Sequence, residues 1–250
     1  MLVAQGRYWV SSQEAAEFVG VPTAHVYPGL GRLRRRGSMF SPARGFHVVI
    51  PPEYRSWGVL PGELFIDGMM RALGRDYYVG LLTAAAMHGA SHQAPQVFQV
   101  MVDRAVADRD IERVRLRFYA NEHLAQMVVE ERQVPTGRIR LATRETTLID
   151  LVVHPDDAGG LSNIATVIIE IGEIDVPLLA QLAAARSRSV ARRLGWLLQE
   201  HRDDLDLGAL REVASAADRY PTRLVRGLPA RGPIDARWSL QVNATVEPDL

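Results

Sequence analysis

The spacing of apolar positions changes period several times along the chain. Tyr8–Val10 is β-prone. Ser11 and Ser12 are N-cap residues, and Gln13–Phe18 presents Ala15, Ala16 and Phe18 to a core, which predicts a short amphipathic helix. Gly20-Val21-Pro22 breaks it. Thr23 is expected to cap a second helix from Ala24 to Arg36, with Val26, Leu30 and Leu33 at i, i+4 and i+7, and Gly37 ends it. Pro28 lies inside that segment beside Gly29 and Gly31, and an interior proline costs about 3 kcal/mol. The helix therefore either begins near Pro28, as an N1 proline, or kinks there. Met39–Ser41 and Phe46–Ile50 are β-prone runs around Pro42-Ala43-Arg44-Gly45, a hairpin turn. Helix, tight turn, helix, hairpin is the order of a winged helix-turn-helix, although such units usually have a helix where only ten residues precede Ser11.

Beyond Pro51-Pro52 the texture becomes mixed. Residues 53–62 read as a linker. Leu64–Leu73 and Tyr78–His88 read as helices, and Val97–Val102 as a strand. In Val114–Phe118 apolar residues alternate with Arg115 and Arg117, the period of a half-buried strand. Met127–Glu131 and Ile139–Ala142 are further strands, and Thr143 caps a helix running to Val153. From Ile164 to about Ala217 the patterns are helical, with Asp175, Ser187 and Asp206 as caps. Pro221–Pro233 is irregular. Apolar Trp238, Leu240, Val242, Ala244 and Val246 then alternate with polar neighbours, predicting a terminal strand on the body's sheet. The expected fold is α+β: a winged helix-turn-helix over 1–54, then a larger mixed α/β domain over 63–250 with a helical C-terminal half and a final strand.

Composition narrows the chemistry. A chain of 250 residues, 47% hydrophobic and 23% charged, is globular in character. No apolar run approaches the roughly 18 residues of a membrane span, and no signal peptide is evident, so a soluble cytoplasmic protein is expected. There is no cysteine, which excludes disulfides, cysteine-based zinc sites and thiol nucleophiles. There is no lysine either: all 29 basic residues are arginine, which excludes the P-loop lysine, the kinase strand lysine and Schiff-base chemistry. The formal charge is zero but unevenly placed. Residues 1–60 hold seven arginines against three glutamates, leaving 22 basic against 26 acidic residues beyond. A basic head is drawn to polyanions.

The candidate DNA-reading residues are Thr23, His25 and Tyr27 at the start of the second helix, Arg32, Arg34, Arg35 and Arg36 at its end, and Arg44 at the wing tip. In this motif the early side chains of the second helix reach base edges, while basic residues grip phosphates. The bland alternative is that Arg34–Arg36 merely complement a helix dipole. His88 and His92 have metal-ligand spacing, but Gly89 lies between them and no third ligand is near. Asp108 with Asp110, in a polar turn between strands, and Asp203, Asp204 with Asp206 could be magnesium carboxylates, yet none has the Gly-Ser that a nucleotidyltransferase would place before it, and Asp206 is explained as a cap. G-x-S-x-G is absent. No catalytic residue, metal or cofactor is expected, and the body is read as non-enzymatic.

Trp9-Val10-Ser11-Ser12-Gln13-Glu14-Ala15-Ala16, Ser41-Pro42-Ala43-Arg44-Gly45, and Val48-Val49-Ile50-Pro51-Pro52-Glu53-Tyr54 together resemble the head of AbiEi-family antitoxins from actinobacteria. The run from Tyr77 to Ala90, Pro95–Val100, Thr143–Leu151 and the stretch to Trp238 follow in that family's order. The resemblance implies a DNA-binding domain that represses its own operon and a C-terminal antitoxin domain. That domain would counter a cognate AbiEii-type nucleotidyltransferase toxin, in many members without a stable complex. Carried over by position, the operator contacts fall on Thr23, His25, Tyr27, Arg32, Arg34, Arg35, Arg36 and Arg44. Pro28, Gly29, Gly31 and the short N-terminus depart from the family pattern. The rival readings are a non-enzymatic interaction module with a vestigial head, and an enzyme modifying the toxin.

Overall fold

The computed structural model describes residues 6–90, 96–215 and 220–249. It is a mixed α/β structure that divides into two compact units. The first comprises residues 1–79, 96–124 and 130–141, and the second residues 80–95, 125–129 and 142–250.

The first unit opens with β1 (Trp9–Ser11), α1 (Ser12–Val19), α2 (Thr23–Arg35), β2 (Met39–Ala43) and β3 (Phe46–Val49). β3 is the middle strand of an antiparallel three-stranded sheet of order β1-β3-β2. Ser11 caps α1 as expected, in a capping box completed by Glu14, and Gly20 closes the helix in the left-handed region at φ 72°. Thr23 does not cap α2. It is the first helical residue, Pro22 occupies the cap position, and no side-chain cap bond forms. α2 does not begin at Pro28 either; it runs through it. The ring is exposed, so the Ala24 carbonyl left without an i+4 donor is on a face that water reaches.

The segment expected to be a linker is instead packed. Two single 3₁₀ turns, Pro52–Tyr54 and Gly62–Leu64, bracket Val59 and Leu60, both fully buried. They join Phe40, Phe46, Val48, Phe65, Met69 and Leu116 in one core. Burial of about 25 cal/mol per Å² of apolar surface fixes such a segment more firmly than its turn-forming composition frees it. α3 (Ile66–Leu73) packs so closely beneath β1 that a Cβ on Gly68 would lie 2.3 Å from the Trp9 ring. Phe40 meets Phe65 edge to face, with centroids 5.3 Å apart.

A six-stranded sheet completes this unit: β4 (Tyr77–Val79), β5 (Val97–Val102), β6 (Arg109–Ile111), β7 (Val114–Ala120), β8 (Val129–Val134) and β9 (Gly137–Ala142), in the order β6-β7-β5-β4-β9-β8. β5 and β7 are parallel, and β4 is antiparallel to β5 but parallel to β9. Tyr78 and Val79, expected as the start of a helix, belong with Tyr77 to a central strand. Its aromatic and β-branched residues are buried, which suits a strand covered on both faces. Asp110, expected in a turn, belongs to β6.

The second unit is mainly helical: α4 (Leu81–Met87), α5 (Arg144–Val153), α6 (Gly160–Glu170), α7 (Val176–Arg186), α8 (Arg188–His201) and α9 (Gly208–Ala214). Thr143, Asp175 and Ser187 cap their helices through side-chain bonds, as their positions predict. Asp206 misses by one residue, because Leu207 holds the cap position and Asp206 accepts from Gly208 N. The expected long terminal strand shrinks to β12 (Leu240–Gln241), which pairs with β10 (Thr222–Arg223) and β11 (Ile234–Asp235) in a separate small sheet. Two anchors interrupt the alternation. Trp238 is fully buried against Gly195, and Asn243 turns its amide onto the carbonyls of Val225, Leu228 and Pro229.

Candidate nucleic-acid interface

All eight nominated residues lie at the surface of the first unit. Thr23, His25 and Tyr27 occupy the first turns of α2, and Arg32, Arg34, Arg35 and Arg36 its last turn and cap. Arg44 sits at the hairpin tip, because Ala43 pairs with Phe46 and leaves a two-residue turn of Arg44 and Gly45. Gly45 takes φ 74° there, a conformation that residues with a side chain rarely adopt. His25, Arg32 and Arg36, spaced seven and four apart, line one groove on the helix, whereas Thr23, Tyr27, Arg34, Arg35 and Arg44 lie off it.

The electrostatics are one-sided. Between Glu17 and Glu53 the sequence contains no acidic residue. None of Arg32, Arg34, Arg35, Arg36 or Arg44 takes part in an ion pair or a side-chain hydrogen bond among the described residues. Other arginines of the same unit are partnered: Arg117 with Asp108 and Asp110, Arg138 with Glu131, Arg71 with Asp67. The α2 cluster complements its helix dipole, but that term accounts for the last turn and not for Arg44.

Sequence reading missed the residue that holds the hairpin in place. His47 on β3 is almost fully buried, with Nε2 2.9 Å from Ser12 Oγ and Nδ1 2.8 Å from Ser41 Oγ. Ser12 N donates to Gly45 O at 2.9 Å, so the first residue of α1 is tied directly to the turn that presents Arg44. On the other side, Arg109 Nε donates to Pro42 O at 2.9 Å. Burial, then the nearby Arg34 charge, holds the His47 pKa below its usual 6.5. A lone histidine in a strand of Phe, His, Val and Val carries no periodic signal, so only the fold exposes this role.

Several of the groups weighed for metal chemistry have other partners. His88 Nε2 donates to the Ala142 carbonyl at 2.7 Å, and His92 lies outside the described residues. Asp108 and Asp110 face Arg117, and Asp204 is held by Arg202 at 2.7 and 2.8 Å. Among the described residues no three His, Asp or Glu gather as a metal site would require.

The architecture is mixed α/β: two short helices and a hairpin set in a mixed-sheet unit, plus a mainly helical unit. The crystal structure of the RV2827C protein from Mycobacterium tuberculosis has the same fold. Its TM-score is 0.69 over 96% of this chain and 87% of that chain, at 15% identity, which is a likeness of fold alone. No curated protein sequence matches significantly. Residues 78–200 match the family model of the AbiEi antitoxin C-terminal domain, which supports an AbiEi-family antitoxin. The match starts in β4 and ends in α8, so it leaves out α1, α2 and their hairpin. No helix among the described residues is long and apolar enough to cross a membrane.

Proposed function

We propose that the chain is a DNA-binding autorepressor and antitoxin. Residues 1–54 act as a winged helix-turn-helix that docks on double-stranded operator DNA, and residues 63–250 carry antitoxin activity against a cognate nucleotidyltransferase-type toxin. The observation that carries the DNA half is the set of exposed, unpaired arginines on α2 and the hairpin tip, in a stretch without one carboxylate. Such groups form phosphate contacts that make binding strong at low salt and weak at high salt. Thr23, His25 and Tyr27 lie in the first turns of α2, and early side chains of the second helix of a helix-turn-helix reach base edges, which supports this reading. The antitoxin half rests on the family match over 78–200.

A mobility-shift titration on the DNA upstream of the chain's own gene tests the first half. The triple variant Arg32→Ala, Arg35→Ala, Arg44→Ala is expected to lose most of its affinity for every sequence, whereas Thr23→Ala or His25→Ala changes sequence preference. Unchanged affinity in the triple variant would remove this surface from the account. For the second half, co-expression with the product of a neighbouring nucleotidyltransferase-like gene is expected to restore growth.

A further inference from the structure

The head has an apolar face whose floor and walls take no part in the proposed DNA contacts. A groove of about 700 Å³ runs between α1, α2 and the sheet, floored by Val10, Val26, Leu30 and Met39. Its walls are unusually bare: Phe18 is 56% exposed, Val19 68% and Leu33 42%. Contiguous exposed apolar surface of this kind marks an interaction site far more often than isolated exposed residues do. The rim carries His25, Arg32 and Arg36, and no acidic residue lies between Glu17 and Glu53 to offset them.

Those two properties select the occupant. A phosphate backbone complements the rim but gains nothing from Phe18, Val19 and Leu33. A second head laid on the first would bury the apolar face but bring Arg32 and Arg36 of both copies together, and like charges at an interface are costly. We infer that the groove docks an acidic amphipathic helix of a partner protein, with apolar anchors at i, i+3/i+4 and i+7 seated on the floor and flanking carboxylates meeting Arg32 and Arg36. His25, Arg32 and Arg36 belong both to this groove and to the proposed operator surface. Occupancy therefore competes with DNA, and the partner is a derepressor; that consequence, unlike the docking itself, rests on the DNA-binding reading.

The test uses the full chain and a labelled model helix with leucine at the anchor positions and glutamate flanking them, followed by fluorescence anisotropy. Its counterpart replaces every glutamate with lysine. The glutamate helix is expected to bind at least tenfold more tightly than the lysine helix, and to weaken several-fold between 50 and 300 mM salt. Leu33→Glu and Phe18→Glu are expected to weaken it at least tenfold; both positions are exposed, and thermal unfolding checks that the fold survives. Equal binding of the two helices, no binding of either, or indifference to Leu33→Glu overturns the inference. Concentration-dependent dimerisation in sedimentation, abolished by Leu33→Glu, would assign the groove to a second copy and overturn it as well. Arg44→Ala lies off the groove and separates the two readings: it lowers DNA affinity with no change in helix binding. Helix binding without any DNA binding would refute the operator surface alone.

Discussion

Arg35 and Arg192 carry the same guanidinium in opposite settings. Arg35 is exposed on the last turn of α2, and nothing in the described chain receives its donors. Arg192, on α8, is 1% exposed, with Nε on the Ala214 carbonyl at 3.0 Å and one terminal nitrogen 3.3 Å from Thr222 Oγ1. Its neighbour Arg193 is 6% exposed and donates to the carbonyls of Arg223 and Leu224, and burial, then the charge of Arg226, lowers its pKa to about 10. A buried guanidinium bonded to backbone carbonyls is a clamp: it satisfies acceptors that water cannot reach. An exposed one without partners adds almost nothing to folding, and its charge is free for an external anion. In a chain without lysine, one residue type serves both ends, and setting alone tells which arginines build the molecule and which face outward.

The comparison can be broken at several points. Arg192→Ala leaves the Ala214 carbonyl buried without its donor and a void where the stem lay, so urea unfolding should show a loss of about 2–4 kcal/mol. Arg35→Ala should stay within about 0.5 kcal/mol of the parent chain. Equal losses would erase the distinction. Gly195→Ala probes the same layer from the apolar side. The new methyl would sit 2.1 Å from the Trp238 ring, whose indole is held by its Nε1 bond to Gln199 Oε1 at 2.9 Å, and overpacking of this kind costs about 1–3 kcal/mol.

The smallest effect concerns the head. His47 titrates below 6.5 in the folded chain, so as pH falls the unfolded chain takes up its proton first. Stability that rests on neutral His47 is intact above 6.5 and drains as pH drops from there to the depressed value, below which it levels off. His154 and His201 are shifted the same way, chiefly by burial, and contribute in the second unit. His47→Gln should therefore shrink the acid-induced fall without removing it. Ring-proton NMR should place the His47 midpoint under 6.5, and a midpoint above it would contradict the buried Ser12–His47–Ser41 arrangement.

How much of this was legible in sequence follows the range of the forces involved. α1, α5 and α7 were readable because Ser11, Thr143 and Asp175 announce their caps locally, β5 because its run is apolar apart from Gln99, and β7 because Val114–Phe118 alternates. The reading failed where distant contacts decide. Tyr78 and Val79 joined the following helix on paper, but pairing with β5 and β9 makes them a strand. The 53–62 segment looked like a linker, yet Val59 and Leu60 are captured by a core drawn from residues on either side. The clean alternation after Trp238 predicted a strand that Trp238 and Asn243 prevent. The exposed arginines were nominated from local sequence, and all five lie at the surface. His47, whose role depends on Ser12 and Ser41, was invisible.

The central claim is that the arginines of α2 and the hairpin tip face a polyanion. The most direct measurement is the dependence of duplex-DNA affinity on salt, taken for the parent chain and for the Arg32→Ala, Arg35→Ala, Arg44→Ala variant. Each lost phosphate contact should flatten the slope of log K against log salt by roughly 0.9, for a total near 2.7, with unfolding stability unchanged. Parallel slopes, or a parent chain whose weak DNA affinity ignores salt, would contradict the account.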